Sequence, residues 1–394
     1  MNRQELRAAT TLAILLASIP GQAWGQNSLD SGTLARMMVA NARVEEGENV
    51  LIRGPVSEIR ILEDLAVEVR KIGAFPHIAV YSDGLTEKMF AEVPASFDTQ
   101  TDAFELALMD IVDVGLFVSP GYHPELFADL APERLAAQLA AYQPIDQRMR
   151  EQSVRFVDLG NGLFPTEWRA EQTGLSEETL SSLFWDGVDV DYEELERTGE
   201  SIGQRLRNGS EVHVTHPNGT DLRFRIDGRP VFVNDGVIGQ ADRERGAAAL
   251  SAWMPAGEAY TTAVPGSGTG RFVVPQSSFV DEILNLELEF RDGRLTSMTG
   301  EGPGFERYKA QYEAAGEGRD VLGLLDIGLN PRVTVPEGSR LETFLPAGSL
   351  TLGYGNNTWI GGENDSNWGY YHSIQGATVT VDGEPLVQDG RLTP

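Results

Sequence analysis

Between Leu34 and Val157 the sequence switches repeatedly between a helical apolar spacing and a short apolar run, and no other feature limits the possible folds as strongly. "DSGTLARMMVANARVEEGENVLIRGP" reads as a helix capped near Asp30 or Ser31, a turn at Gly47, and the buried strand "NVLIRG". "IRILEDLAVEVRKIGAFPHIAVYSD" repeats the pattern, with an amphipathic helix closed by Gly73 and then the strand "HIAVYSD". "FELALMDIVDVGLFVSP" gives a third helix and the strand "VGLFVS". Helices alternating with buried strands predict an α/β domain over residues 30–160, a parallel sheet flanked by helices.

The pattern then changes. Residues 161–208 read as a helical connector with an N-cap at Ser176. From residue 209 to 394 short strands alternate with Gly, Asn and Asp turns, including a hairpin about Asp292-Gly293, which predicts a β-rich α+β C-terminal domain. No repeat of fixed period and no low-complexity segment interrupts either part.

Residues 1–25 have the layout of a signal peptide: Arg3 and Arg7, an apolar run from Ala8 to Ile19, then small residues around Ala23 to Gly25. The run is too short for a ~30 Å hydrocarbon core, so export to the periplasm or medium as a soluble protein is expected, with cleavage after Ala23 or Gly25. The chain has no Cys, which excludes disulfides, thiolate zinc sites, a cysteine nucleophile and a lipid-modified cysteine. Acidic residues outnumber basic ones 59 to 31, and a net charge of −28 repels phosphate backbones, so no nucleic-acid partner is expected.

Six phrases in order carry a family resemblance: "EEGENVLI" (45–52), "FPTEWRAEQTGLSEETL" (164–180), "GTDLRFRIDGRP" (219–230), "MPAGEAYTTAVPGSGTG" (254–270), "DIGLNP" (326–331) and "VDGEPLVQDG" (381–390). In them the chain resembles the aminopeptidase T (thermophilic leucyl aminopeptidase) metallopeptidases. The resemblance implies a thermophilic-aminopeptidase-like fold, usually a homodimer, with two divalent metals held in the C-terminal domain. The dihydroxypyridine ring-cleaving dioxygenases are similar to this scaffold and hold a single iron there. A metal pair about 3.5–4 Å apart activates water and polarises the scissile carbonyl, which requires several converging carboxylates and imidazoles.

Residue by residue, the resemblance keeps one metal ligand, Glu258 of "PAGE". A second family Glu falls on Leu324, with Asp326 two residues further on and on the same side of a strand. A family His falls on Thr351. The family's His-x-Asp falls on Gly369 and Tyr371, and sliding the register to His372 leaves Ile374 at the Asp position. The cofactor is therefore left open; any metal would be divalent zinc, manganese, cobalt or iron.

The candidate catalytic residues are Glu258, Tyr371 and His372, and Glu258 is also the candidate metal ligand. Asn356, Asn357, Trp359, Glu363, Asp365 and Trp368 crowd one Gly-broken loop and are the candidate ligand-binding residues, suited to a peptide or small polar organic ligand with an apolar face. Glu363, Asp365 and His372 could alternatively join Glu258 in a new metal site, and the aromatic residues could simply pack an interface. Residues 354–372 are expected to fold over the metal position, with Tyr371 and either Trp359 or Trp368 against Glu258 and the Tyr371 hydroxyl donating to its carboxylate. Two functions fit: an exported aminopeptidase-T-like hydrolase of a peptide or small amide with an altered or lost metal site, or a non-catalytic periplasmic binding or interaction protein on the same scaffold.

Overall fold

The computed structural model describes residues 29–127, 130–279 and 281–393, and the expected signal peptide lies outside the described residues. Helix α1 (Ser31–Asn41) starts where the Asp30 carboxylate accepts the Thr33 N–H at 3.0 Å. Strand β1 (Asn49–Pro55) buries Val50, Leu51 and Ile52. Helix α2 (Ile59–Ile72) buries Ile61, Leu62, Leu65 and Val69 on one face and stops at left-handed Gly73. Strand β2 (Phe75–Tyr81), helices α3 (Asp83–Glu92) and α4 (Ala103–Leu108), strand β3 (Val114–Val118), helix α5 (Pro132–Glu151) and strand β4 (Arg155–Leu159) continue the alternation. Three helices, α6 (Glu167–Thr173), α7 (Glu177–Val188) and α8 (Tyr192–Asn208), form the connector, and Ser176 Oγ caps α7 by accepting the Thr179 N–H.

Short strands follow: β5 (Glu211–Thr215), β6 (Asp221–Arg225), β7 (Val231–Asn234), β8 (Ser251–Met254) and β9 (Glu258–Thr261). The long meander β10 (Thr269–Phe279), β11 (Asp281–Arg291) and β12 (Arg294–Glu301) comes next, with the expected turn at Asp292-Gly293, both at positive φ. The chain closes with β13 (Leu322–Gly328), β14 (Leu350–Gly355), β15 (Gly369–Ile374), β16 (Thr378–Val381), β17 (Glu384–Gln388) and β18 (Arg391–Leu392).

Among the described residues these strands build three sheets. A parallel five-stranded sheet has the order β2-β1-β3-β4-β8. An antiparallel eight-stranded sheet has the order β12-β11-β10-β6-β5-β16-β17-β18, and an antiparallel five-stranded sheet the order β15-β14-β13-β9-β7. The boundary expected at 208/209 does not hold for the first sheet. Its fifth strand, β8, comes from far beyond the connector, because Ser251–Met254 pairs with Phe156–Leu159 immediately before the chain enters β9. That four-residue strand carries no helix-strand alternation of its own and is invisible to the pattern that marks the first domain.

The five-stranded antiparallel sheet is covered on both sides. Leu325, Ile327, Leu350, Leu352 and Ile374 face the eight-stranded sheet and share a core with Leu222, Phe272 and Leu286. The alternate residues, among them Glu258, Asp326, Thr351 and Tyr371, face the other way and line a cavity with Trp253 of β8.

Candidate active site

Glu258 is placed by two interlocking segments. Gly257 adopts φ +127°, and a Cβ there would fall 2.6 Å from the Asn330 nitrogen, so only glycine fits between the two backbones. The Leu329 N–H donates to Gly257 O at 2.8 Å, and Asn330 Nδ2 donates to Ala256 O and Gly187 O. "PAGE" and "GLNP" therefore brace each other, and Glu258 opens β9 opposite Gly328 on one side and Asn234 on the other.

Asp326 pairs with Tyr260, which makes it a diagonal neighbour of Glu258 on the same sheet face. Both carboxyls are buried, at 8% and 4% exposure. Glu258 Oε1 accepts from Asn161 Nδ2 at 2.8 Å and from Asn234 Nδ2 at 2.9 Å. Asn161 also donates to Pro255 O, and Asn234 is fixed by bonds with both the N–H and the C=O of Trp253. Asp326 Oδ1 has no hydrogen-bond partner among the described residues. Burial raises the Glu258 carboxyl above its ordinary value against the opposing pull of the two amides. Burial, with the Glu258 charge added, raises Asp326 well above the ordinary range.

The cavity these carboxyls share measures about 220 Å³, and no Lys, Arg or His lines it. Trp253, Tyr260, Phe344, Trp359 and Tyr371 make its walls. Trp359 lies against Tyr260 at 5.9 Å, Phe344 meets Tyr371 edge-on at 6.0 Å, and Trp359 and Tyr371 are both 47% exposed at the mouth.

Several sequence expectations need correction. Tyr371 and Trp359 do line the Glu258 cavity, but the donors to Glu258 are Asn161 and Asn234, not the Tyr371 hydroxyl. His372 is fully buried on the opposite face of β15, since neighbouring residues of a strand point to opposite sides. There the Ser277 hydroxyl donates to Glu342 and so accepts from His372 Nδ1–H, while Nε2 takes the Tyr308 hydroxyl at 2.8 Å. With Ser277 and Glu342 both on the Nδ1 side of a ring closed off from solvent, this network is part of the core and not a nucleophile-base pair.

Trp368 likewise packs inward against Tyr308 and Tyr312 instead of facing Glu258. Asn357 is buried and ties its loop down, donating to Gly323 O and accepting the Asn364 N–H. Glu363 pairs with Arg229 at 3.0 Å, and Asp365 accepts from Asn356 at 3.4 Å; neither lines the cavity with Glu258. Asn356 lines a neighbouring recess. Asn161, Asn234, Trp253, Tyr260 and Phe344 escaped the sequence reading. Tyr260 lies two residues from Glu258 on the same strand, which is a usable signal, whereas Asn161 lies in the turn after β4 of the parallel sheet and carries only a Gly-Asn-Gly signal.

The side chains present do not fit a metal pair. Leu324, Thr351 and Tyr371 stand in the cavity where the resemblance places ligands, and none is a carboxylate or imidazole. Among the described residues no group of three or more His, Cys, Asp or Glu could hold a metal ion. Two carboxyls, one of them already bonded to two amides, are what remains.

A sequence model of the thermophilic metalloprotease family M29 matches residues 32–304. The fold is similar to that of wild-type AmpT from Thermus thermophilus, with a TM-score of 0.73 and 18% identity, covering 92% of this chain and 99% of that one. It is also similar to 2,5-dihydroxypyridine dioxygenase from Pseudomonas putida KT2440, with a TM-score of 0.60 and 14% identity over 93% and 98% of the two chains. No curated protein matches the chain in sequence. No described helix is long and apolar enough to cross a membrane.

Proposed function

The chain belongs to the thermophilic metalloprotease family M29, and from that premise we propose that it is an exported hydrolase of small peptides or amides that works with a carboxyl pair in place of a metal pair. The observation that carries this reading is the composition of the cavity: two buried carboxyls with unequal surroundings, enclosed by aromatic walls and without a cation. Glu258, receiving two N–H bonds on one oxygen, is held in a form suited to a base, while Asp326, raised well above the ordinary range by burial and the Glu258 charge, is suited to hold a proton on Oδ2, which leaves Oδ1 as an acceptor. Glu258 takes a proton from water as the water oxygen adds to the carbonyl carbon. Asp326 gives a proton to the departing nitrogen as the C–N bond breaks, leaving an acid and an amine. The aromatic walls exclude bulk water from the pair.

The test is to purify the protein without a metal-binding tag, measure its metal content, and assay a panel of dipeptides and amino-acid amides with and without chelator. The expected result is chelator-insensitive hydrolysis, lost on Glu258→Gln and on Asp326→Asn, with leucyl anilides turned over very slowly. Stoichiometric metal together with chelator-sensitive cleavage would refute it. The second reading, a non-catalytic binding protein, is favoured by the two amides on Glu258 Oε1, which also suit a purely structural acceptor; binding of the same amides without turnover would select it. Export is tested by N-terminal sequencing of the periplasmic form, which should begin near Trp24 or Gln26.

A further inference from the structure

Beside the carboxyl cavity lies a second recess of about 310 Å³, and the two share Leu324, Trp359 and Tyr371. Its lining includes three glycines: Gly353 of β14, Gly369 of β15, and Gly323 where the register of β13 shifts. Gly353 lies between Leu324 and Tyr371 across the sheet, so a strip of bare peptide is bordered by an aliphatic side chain on one side and a phenol on the other. Trp359 lines both the recess and the cavity, and no charged side chain lines the recess. Flat peptide faced by aromatic rings suits a planar apolar group and penalises a charged one, which would lose its water without gaining a partner.

Leu324, Gly369 and Tyr371 are also three of the positions where the family resemblance puts metal ligands. Replacing a ligand side chain by hydrogen at Gly369 leaves open volume next to the cavity. We propose that this recess is a side-chain subsite for the ring of an aromatic amino-acid amide or peptide, seated while the scissile amide lies against Glu258 and Asp326; the assignment deepens the hydrolase reading and rests on it. The second feature pointing to such a ligand is Asp326 Oδ1, buried at the wall of the adjoining cavity with no partner among the described residues. A substrate N–H close to the ring-bearing carbon would supply the missing donor. An apolar ring and a nearby N–H are what an aromatic amino-acid amide presents together.

The test fills the recess from Gly369. Its φ is one that L side chains adopt readily, and a Cβ there meets nothing nearer than 3.4 Å, so Gly369→Leu and the milder Gly369→Ala are both compatible with the sheet. Calorimetric titration of L-phenylalaninamide and L-alaninamide into the wild type should show the aromatic amide binding at least tenfold more tightly. Gly369→Leu should erase most of that preference and Gly369→Ala part of it, read as the ratio of the two amides' affinities within each variant. Equal binding of the two amides by the wild type, or an undiminished preference in both variants, overturns the subsite and leaves the hydrolase reading intact. Absence of turnover with the predicted preference pattern overturns the hydrolase reading and leaves the subsite intact. Failure of the wild type to bind either amide overturns both.

Discussion

Glu258→Gln should make the protein more stable while removing its activity. In the wild type Asp326 Oδ1 is a buried acceptor with no donor among the described residues, and Asp326 lines a cavity whose other acidic residue is Glu258. A buried acceptor without a partner costs about 1–3 kcal/mol. A glutamine at 258 keeps one carbonyl oxygen to accept from Asn161 and Asn234, removes one negative charge, and introduces an N–H into a cavity that has a free acceptor. The expected gain at pH 8 is about 1–2 kcal/mol, seen as a rise in melting temperature of a few degrees, since about 2–4 °C per kcal/mol is usual for large domains. The gain should depend on pH in a defined direction. Both carboxyls are raised in the fold, so their protonated forms are compatible with burial at low pH and that stability is lost as pH rises through the raised values. Glutamine at 258 therefore helps most at pH 8 and little near pH 4.5. Differential scanning fluorimetry and urea unfolding at the two pH values measure both effects. A loss of more than about 1 kcal/mol at pH 8 would show that the Glu258 carboxylate is engaged with a favourable partner, and the account of an uncompensated pair would fail.

His372→Ala should destabilise by about 3 kcal/mol or more, because it opens a cavity in the core and strips partners from Ser277 and Tyr308; a urea midpoint within error of wild type would refute the buried network. Asp158, raised to about 6 by burial, loses stability as pH rises through that value, so Asp158→Asn should flatten the stability profile between about pH 4 and 6 and gain at pH 8. Parallel wild-type and variant profiles over that range would show that Asp158 is not the group responsible. Trp359→Ala, at the half-exposed mouth, should weaken amide binding several-fold and leave unfolding within about 0.5 kcal/mol of wild type; titration and melting on the same preparation separate the two.

Local rules alone determined much of this protein. The helix-strand alternation of residues 30–160, the Gly73 stop, the Ser176 cap and the Asp292-Gly293 turn depend on interactions within a few residues, and the described residues show each of them. The resemblance picked out Glu258 and Asp326, because both lie in phrases whose order survives. Only the tertiary structure decided what surrounds them. Which face of β15 carries Tyr371 and which carries His372 is set by pairing with β14, and a shift of one residue would have exchanged the two. The amides that hold Glu258 come from the end of β4 and from β7, 97 and 24 residues away, and Trp253 reaches the cavity only because β8 crosses back into the parallel sheet. Spacing along a chain records which side chains share a strand face; it holds no record of which distant strands are brought together, since that follows from burying the apolar faces of three sheets at once.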